Sequence, residues 1–369
     1  MKLLPIDETY TLNFLKHLLQ IPSPSGYTDM AVHFVCDELE TLGIPFELTR
    51  RGAIRATLSG KQKTPDRAIV AHLDTLGAMV KQLKPNGRLE IMPVGHWNAR
   101  FAEGARVTIF SEMGTYRGSI LPLKASGHTF AAEIDSQPVA WDNVEVRIDA
   151  NSYHLEDLIK LGINVGDFIA IDTMVEVTET GYINSRHLDD KAGIAVMMGA
   201  AKALIEHEVT LPVDCHLFFT ISEEVGAGAS AILHEDVAEL VAIDNGTTAQ
   251  GQNSSEFGVT FAMADMTGPF DYHLTRRLIN LCQEFEISYQ RDVFRYYRSD
   301  IATALEAGFD LRSSLICFGI DGSHGYERIH WHALQSLIQL LTIYMQSPLL
   351  FDRDKAGTAS RLGFPTQPT

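Results

Sequence analysis

Five short stretches of the chain carry side chains that could do chemistry together. His72 and Asp74 lie in "AHLDTLG", Asp189 and Asp190 in "HLDDKAG", and Glu223 and Glu224 in "FFTISEEVGAGAS". Asp244 closes "ELVAID" and His324 sits in "GSHGYER". Each has an ordinary reading when taken alone. Adjacent acidic pairs are mostly solvated, a lone His-x-Asp is more often a surface hydrogen-bonded pair, and "GAGA" at 226–229 lacks the Lys-Ser/Thr of a phosphate loop. Taken together they supply imidazoles and carboxylates, the donors of a divalent-metal centre. Two such ions held about 3.5–4 Å apart can activate a water and polarise a carbonyl. That chemistry also needs a base beside the water that is not itself a ligand. Side chains of adjacent residues in extended chain point apart, so one glutamate of the pair can hold metal while its neighbour faces the water. Cations would offset the charge that makes two buried carboxylates unfavourable.

The elements that must position these groups are legible from hydrophobic pattern. Short, nearly continuous apolar runs at 67–74, 213–222, 239–244 and 313–321 read as strands buried on both faces. Helical spacing occurs at 7–20, 28–42, 190–207, about 228–238, about 271–286 and 329–346. Buried strands alternating with helices predict an α/β fold, a mixed but largely parallel sheet flanked by helices. Ligands of open α/β sheets gather beyond the carboxyl ends of the strands. All four strands deliver His, Asp or Glu there, and Asp189-Asp190 opens the helix at 190, whose positive end favours a carboxylate.

Between 77 and 178 the texture becomes β-rich. Pro85-Asn86-Gly87 separates two alternating runs, a hairpin signal, and "ARVTIFSEMGTYRGSILPL" turns again at Gly114. The expected organisation is a catalytic part at 1–76, an inserted β-rich domain at 77–178, and a second catalytic part at 179–369. The polar tail after about 350 is expected to fray.

Composition excludes some partners. The 369 residues are 45% hydrophobic and 21% charged, enough for a sizeable core, and the formal net charge is −17. Phosphate backbones would be repelled, so no nucleic-acid partner is expected. No run reaches the ~20 apolar residues of a spanning helix, so no membrane partner is expected either. The four cysteines form no CxxC pair and read as buried free thiols of a reducing compartment. "MKLLPIDETY" interrupts any signal-peptide core, and the expectation is a soluble, cytoplasmic protein.

The order His-x-Asp, Asp-Asp-x-x-Gly, Glu-Glu, Asp, His resembles the co-catalytic di-zinc aminopeptidases and deacylases. From His72 to Asp189 is 189 − 72 = 117 residues, which places the insert between the first and second ligand. In the related carboxypeptidase and deacylase group that gap is much shorter. The pattern, over roughly residues 10 to 345, is therefore similar to peptidase family M42, the glutamyl and deblocking aminopeptidases of tetrahedral type. The resemblance implies a zinc-peptidase-like core with an inserted small β-barrel. It implies His72, Asp189, Glu224, Asp244 and His324 as metal ligands, Asp189 bridging the two metals. Asp74 would orient His72, Glu223 would act as general base and then acid, and Asp190 would be structural. Two divalent ions per chain are implied, zinc first, with cobalt or manganese served by the same donors. Also implied are a short peptide or peptide-like substrate and a homo-oligomer, up to a dodecamer, assembled through the insert.

Some stretches depart from the family pattern. Thr75-Leu76-Gly77 stands where many members carry a glutamate, and "YRSDIATALEAG" (297–308) and "PLKASGHTF" (122–130) are not the common forms. These departures resemble a bacterial subgroup associated with the osmolyte N-acetylglutaminylglutamine amide. The alternative readings are thus a metal-dependent deacylase or amidohydrolase acting on a small N-acyl or amidated dipeptide, and a non-catalytic metal-binding assembly. His128 could reach a neighbouring subunit's site or simply make a structural hydrogen bond. Arg291, Arg295 and Arg298 could receive a substrate carboxylate or guard an exposed strand edge.

Overall fold

In the computed structural model of the protein, which describes residues 1–367, amphipathic helices open the chain. Glu8–Gln20 buries Phe14, Leu15, Leu18 and Leu19 on one face, and Asp7 caps it by accepting the amide of Tyr10 at 2.9 Å. Asp29–Thr41 follows in the same manner, burying Val32, Val35 and Leu39. The chain then enters a nine-stranded sheet.

At the centre of that sheet lie four mutually parallel strands, in the order Leu211–Thr220, Gly60–His72, Val237–Thr247 and Arg312–Ile320. Their apolar runs are buried because helices cover the sheet, among them Leu188–Glu206 and Trp331–Gln346. These two helices approach closely at Gly199, where a Cβ would stand 3.0 Å from the Ile338 side chain. Antiparallel strands finish both edges: Ile54–Leu58 and Phe46–Leu48 on one side, Val259–Asp265 and Gly268–Pro269 on the other. Tyr289–Val293 adds in parallel to Val259–Asp265 as a further edge strand. The sheet is thus mixed and largely parallel.

The β-rich segment closes into a six-stranded barrel. Its strands run in the order Gly77–Leu83, Leu89–Val94, Val144–Ile148, Gly114–Pro122, Arg106–Ser111 and Phe168–Ile171. Alternate residues such as Val80, Ile91, Val107, Ile109 and Ile120 point inward and form a hydrophobic core separate from that of the sheet. A small sheet of Glu176–Val177, Tyr182–Ser185 and Glu327–His330 lies between the barrel's return and the second half of the chain.

Two sequence expectations need correction. Residues 228–238 do not form a helix: Gly228–Ala231 is a single 3-10 turn, and from Val237 the chain is already a strand. The tail after 350 does not simply fray. Asp352–Lys355 forms a turn, Arg312 Nε binds Asp354 at 2.5 Å, and Arg353 lies 4.9 Å over the Phe364 ring. The short helix Asp300–Glu306 lies outside the helical segments expected from hydrophobic spacing. Among the described residues, no helix is long and apolar enough to cross a membrane.

Candidate metal and catalytic centre

His72 is the last residue of its strand, and three contacts fix it. Its amide donates to Asp190 Oδ2 at 3.1 Å, and its ring Nδ1 pairs with the Asp74 carbonyl at 2.9 Å. Nε2 is thereby aimed at Asp189, 3.1 Å from Oδ1. The other oxygen of Asp189 stands 3.3 Å from His324 Nε2. Asp189 therefore presents one oxygen to each imidazole. The Asp-Asp-x-x-Gly spacing has a steric reason: a Cβ at Gly193 would lie 2.3 Å from Asp190 Oδ1. Only glycine leaves room for the carboxylate that holds the end of the His72 strand.

The paired glutamates leave the Leu211–Thr220 strand, which runs parallel to the His72 strand with Thr220 opposite His72. Glu224 Oε2 is 3.8 Å from His324 Nε2, and Glu223 Oε2 is 3.8 Å from His72 Nε2. Donor atoms of His72, Asp189 and Glu224 all lie within 4.8 Å of one another, close enough to hold one ion. Asp244 reaches the group through its neighbour. Its Oδ1 accepts the Asn245 amide at 2.6 Å and Asn245 Nδ2 at 3.1 Å, while that same Nδ2 donates to Asp189 Oδ2 at 2.7 Å.

Asp74 is wholly buried, but its carboxylate is 3.7 Å from the His72 ring and is engaged elsewhere. It accepts the Ser25 hydroxyl at 2.5 Å and the amides of Glu223 at 3.1 Å and Glu224 at 3.3 Å. His72 is oriented by the Asp74 backbone instead.

The charges in this pocket are unbalanced. Burial pushes Glu224 up to about 8, and burial together with the Asp189 charge does the same to Asp244. Glu223 is pushed well above the usual carboxylate range, again first by burial. Burial would lower His324, but its bond to Asp189 and the charge of Glu224 outweigh that and hold it near 10. Glu224 Oε1 and Asn245 Oδ1 are buried without a hydrogen-bond partner among the described residues. Once deprotonated, the crowded carboxylates and the two imidazoles, with the neutral Asn245 oxygen beside them, are a donor set suited to divalent cations, whose charge would offset the crowding.

Several residues around the centre escaped sequence reading. Glu327 accepts the amides of Asp189 at 3.2 Å and His324 at 2.9 Å, so it fixes two site residues at once. His96, in the barrel segment, offers its carbonyl to His324 Nδ1 at 2.8 Å. Tyr297 is partly buried, and its ionisation is opposed by burial and by the Asp244 charge. Asn245 and Glu327 stand next to motif residues and could have been suspected. Ser25 and His96 gave no local signal.

The remaining candidates lie apart from this group. His128 is exposed on the short helix Gly127–Phe130 and makes no side-chain hydrogen bond among the described residues. Arg298 pairs with Glu306 at 2.7 Å. Arg291 lies on the edge strand Tyr289–Val293 and, with Arg295, lines an open cleft.

The sequence profile of the M42 glutamyl aminopeptidases matches residues 52–340. YhfE of Bacillus subtilis, a provisionally assigned aminopeptidase, is 35% identical over 341 residues, covering 92% of this chain and 98% of that one. The glutamyl aminopeptidase of Lactococcus lactis is 27% identical over 58% of this chain and 59% of its own. Among solved structures, the TET1 peptidase of Pyrococcus horikoshii superposes with a TM-score of 0.80 at 21% identity, covering 91% of this chain and 99% of that one. It is described as assembling into a tetrahedron or a large octahedral shell. A TET aminopeptidase from a marine-sediment Thaumarchaeota archaeon gives 0.83 at 17% identity over 91% and 96% of the two chains. At these identities the likeness establishes the fold.

Proposed function

Because the chain belongs to the M42 glutamyl aminopeptidase family, and is therefore a metallo-aminopeptidase, we propose that it removes N-terminal residues from short peptides at a co-catalytic pair of divalent cations. The ligands would be His72, Asp189, Glu224, Asp244 and His324, with Asp189 shared. The observation that carries this reading is the placement of Asp189, with one oxygen 3.1 Å from His72 and the other 3.3 Å from His324. Bound cations would supply Lewis acidity, making water a better nucleophile at neutral pH and drawing charge from the scissile carbonyl.

The chain's own groups do the rest. Glu223 takes the proton from the attacking water and later delivers it to the leaving amine. Its charged form needs positive surroundings, since burial opposes it. Asp74 holds the Glu223 and Glu224 amides, so base and ligand move as one unit. Asn245 ties Asp189 to Asp244 and keeps the shared carboxylate from rotating.

We place self-association on the barrel. Met113, Tyr153, Val165 and Ile159, all in the barrel segment, are 72%, 69%, 66% and 60% exposed, an unusual apolar display for one small element. The assemblies described for the TET relatives support a homo-oligomer of up to twelve chains or more. The four free cysteines, all buried, fit a reducing compartment such as the cytoplasm.

The test is a set of paired short peptides, with free or acetylated N-termini, incubated with zinc-loaded protein and read by mass spectrometry. Loss of one residue from the free-amine peptides alone supports the aminopeptidase. Cleavage of the blocked forms alone would transfer the same centre to deacylation, with an amidated dipeptide as the first substrate to try.

A further inference from the structure

A second donor cluster lies midway along the strand that carries His72. Asp66 is six positions earlier, about 20 Å away at roughly 3.3 Å per residue. It sits beside His216 of the Leu211–Thr220 strand and His234 of the segment leading into Val237–Thr247. Donor atoms of the three residues all lie within 4.8 Å of one another. His216 Nε2 is 2.8 Å from Asp66 Oδ2, and the His216 and His234 rings stand edge to face at 4.7 Å. Asp66 is 3% exposed, and its Oδ1 has no hydrogen-bond partner among the described residues.

We propose that Asp66, His216 and His234 form a second transition-metal site, for zinc or a similar borderline divalent ion, separate from the catalytic centre.

The donor chemistry is that of zinc, two imidazoles and a carboxylate. Thr57 Oγ1 lies 3.0 Å from His216 Nδ1. A proton on that nitrogen, shared with Thr57, leaves the Nε2 lone pair for a cation, the outer bond that orients metal-binding histidines. Phe218 stacks on His216 at 5.6 Å and fixes the ring plane. Zinc bonds of about 2.0–2.2 Å require donors roughly 3.3–3.5 Å apart. The observed spread, from 2.8 Å to within 4.8 Å, brackets that spacing: the Asp66–His216 pair would open by roughly 0.5 Å and the partly exposed His234 would turn inward. That exposure also leaves a coordination position for water.

Charge favours a cation. The fields of Asp66 and Asp236 reach His234, opposed by Arg55, whose guanidinium is already engaged with the carbonyls of Ile232 at 2.5 Å and Leu233 at 3.1 Å. An ion here would join two strands to the segment that descends from the catalytic glutamates. The competing account is a plain Asp–His hydrogen bond inside an aromatic stack.

The experiment uses the full-length protein, stripped with chelator, reloaded with zinc, gel-filtered and counted by mass spectrometry of the metal. His234→Ala and His234→Gln should each bind one zinc per chain fewer than the parent, while peptidase kcat stays within about twofold. Cobalt(II) substitution should show visible bands in the parent that are reduced in both variants. Circular dichroism of His234→Gln, whose side chain keeps similar bulk, checks that folding is retained. Equal zinc counts in the parent and a folded His234→Gln would overturn the proposal. Because only the difference is read, the result stands whatever number of ions the catalytic centre holds.

Discussion

The carboxylate of Asp74 accepts the backbone amide of Glu223 at 3.1 Å, a contact between residues 149 positions apart. The same carboxylate takes the Glu224 amide and the Ser25 hydroxyl, so a residue two places beyond His72 sets where the proposed base and its neighbouring proposed ligand sit. Asp74→Asn replaces one of these acceptor oxygens with a donor facing an N–H or O–H. We expect kcat to fall roughly 10- to 100-fold, the usual effect of losing an outer contact, with zinc content maintained. Steady-state kinetics together with a metal count decide this, and parallel loss of metal and activity would show that Asp74 serves the ligands rather than the base.

Glu223→Gln keeps the size and removes the proposed proton acceptor. A kcat reduced by about 10²–10⁴ with KM little changed is expected, since general-base catalysis contributes on that scale. The variant should retain its full complement of metal. Unchanged turnover would remove Glu223 from the mechanism.

Asn245→Ala deletes the 2.7 Å bond to Asp189 Oδ2 and the 3.1 Å bond to Asp244. Metal affinity measured by chelator competition should weaken roughly 10- to 100-fold. Activity at saturating zinc should be affected much less, because the proposed ligands themselves are intact.

Asp300, close behind the candidate centre, provides a pH prediction. Its Oδ2 accepts the Thr220 hydroxyl at 3.0 Å, its Oδ1 has no partner among the described residues, and burial pushes it up to about 7. The folded chain therefore keeps this proton where the unfolded chain, with a value near 3.9, has released it. Stability from this group is full below about pH 4 and is lost as pH rises toward 7, by up to about 1.4 kcal/mol per pH unit. Asp300→Asn is neutral throughout and can still accept from Thr220. In chelator-treated protein, its melting temperature relative to the parent should rise between pH 5 and pH 8, and a pH-independent difference would refute the assignment.

The features legible in the sequence were those written locally. Four continuous apolar runs became the four parallel central strands, and the His, Asp and Glu residues at their carboxyl ends came together because parallel strands end on the same side. The helix expected at 228–238 failed because Ile232, Leu233 and Val237 also suit a helical spacing. In the fold, Val237 instead begins a strand beside the His72 strand. The supporting contacts were hidden for a different reason. Ser25 meets Asp74 across 49 residues and Glu327 meets Asp189 across 138, and no pattern within one segment encodes such a meeting. Asp74 shows the limit most clearly. Its residue type signalled a supporting role, but only the folded chain shows which partners its carboxylate takes.

The bond from His324 Nδ1 to the carbonyl of His96 links a ring of the candidate metal centre to a residue of the barrel segment. An insertion that supplies such a contact is no longer a passenger. Excising it to shorten the protein, or replacing it with a foreign module of similar size, would leave the imidazole without the acceptor that sets its tautomer. In a lineage carrying this bond, loss of the insert would require a new acceptor first, so the two parts are expected to be inherited together.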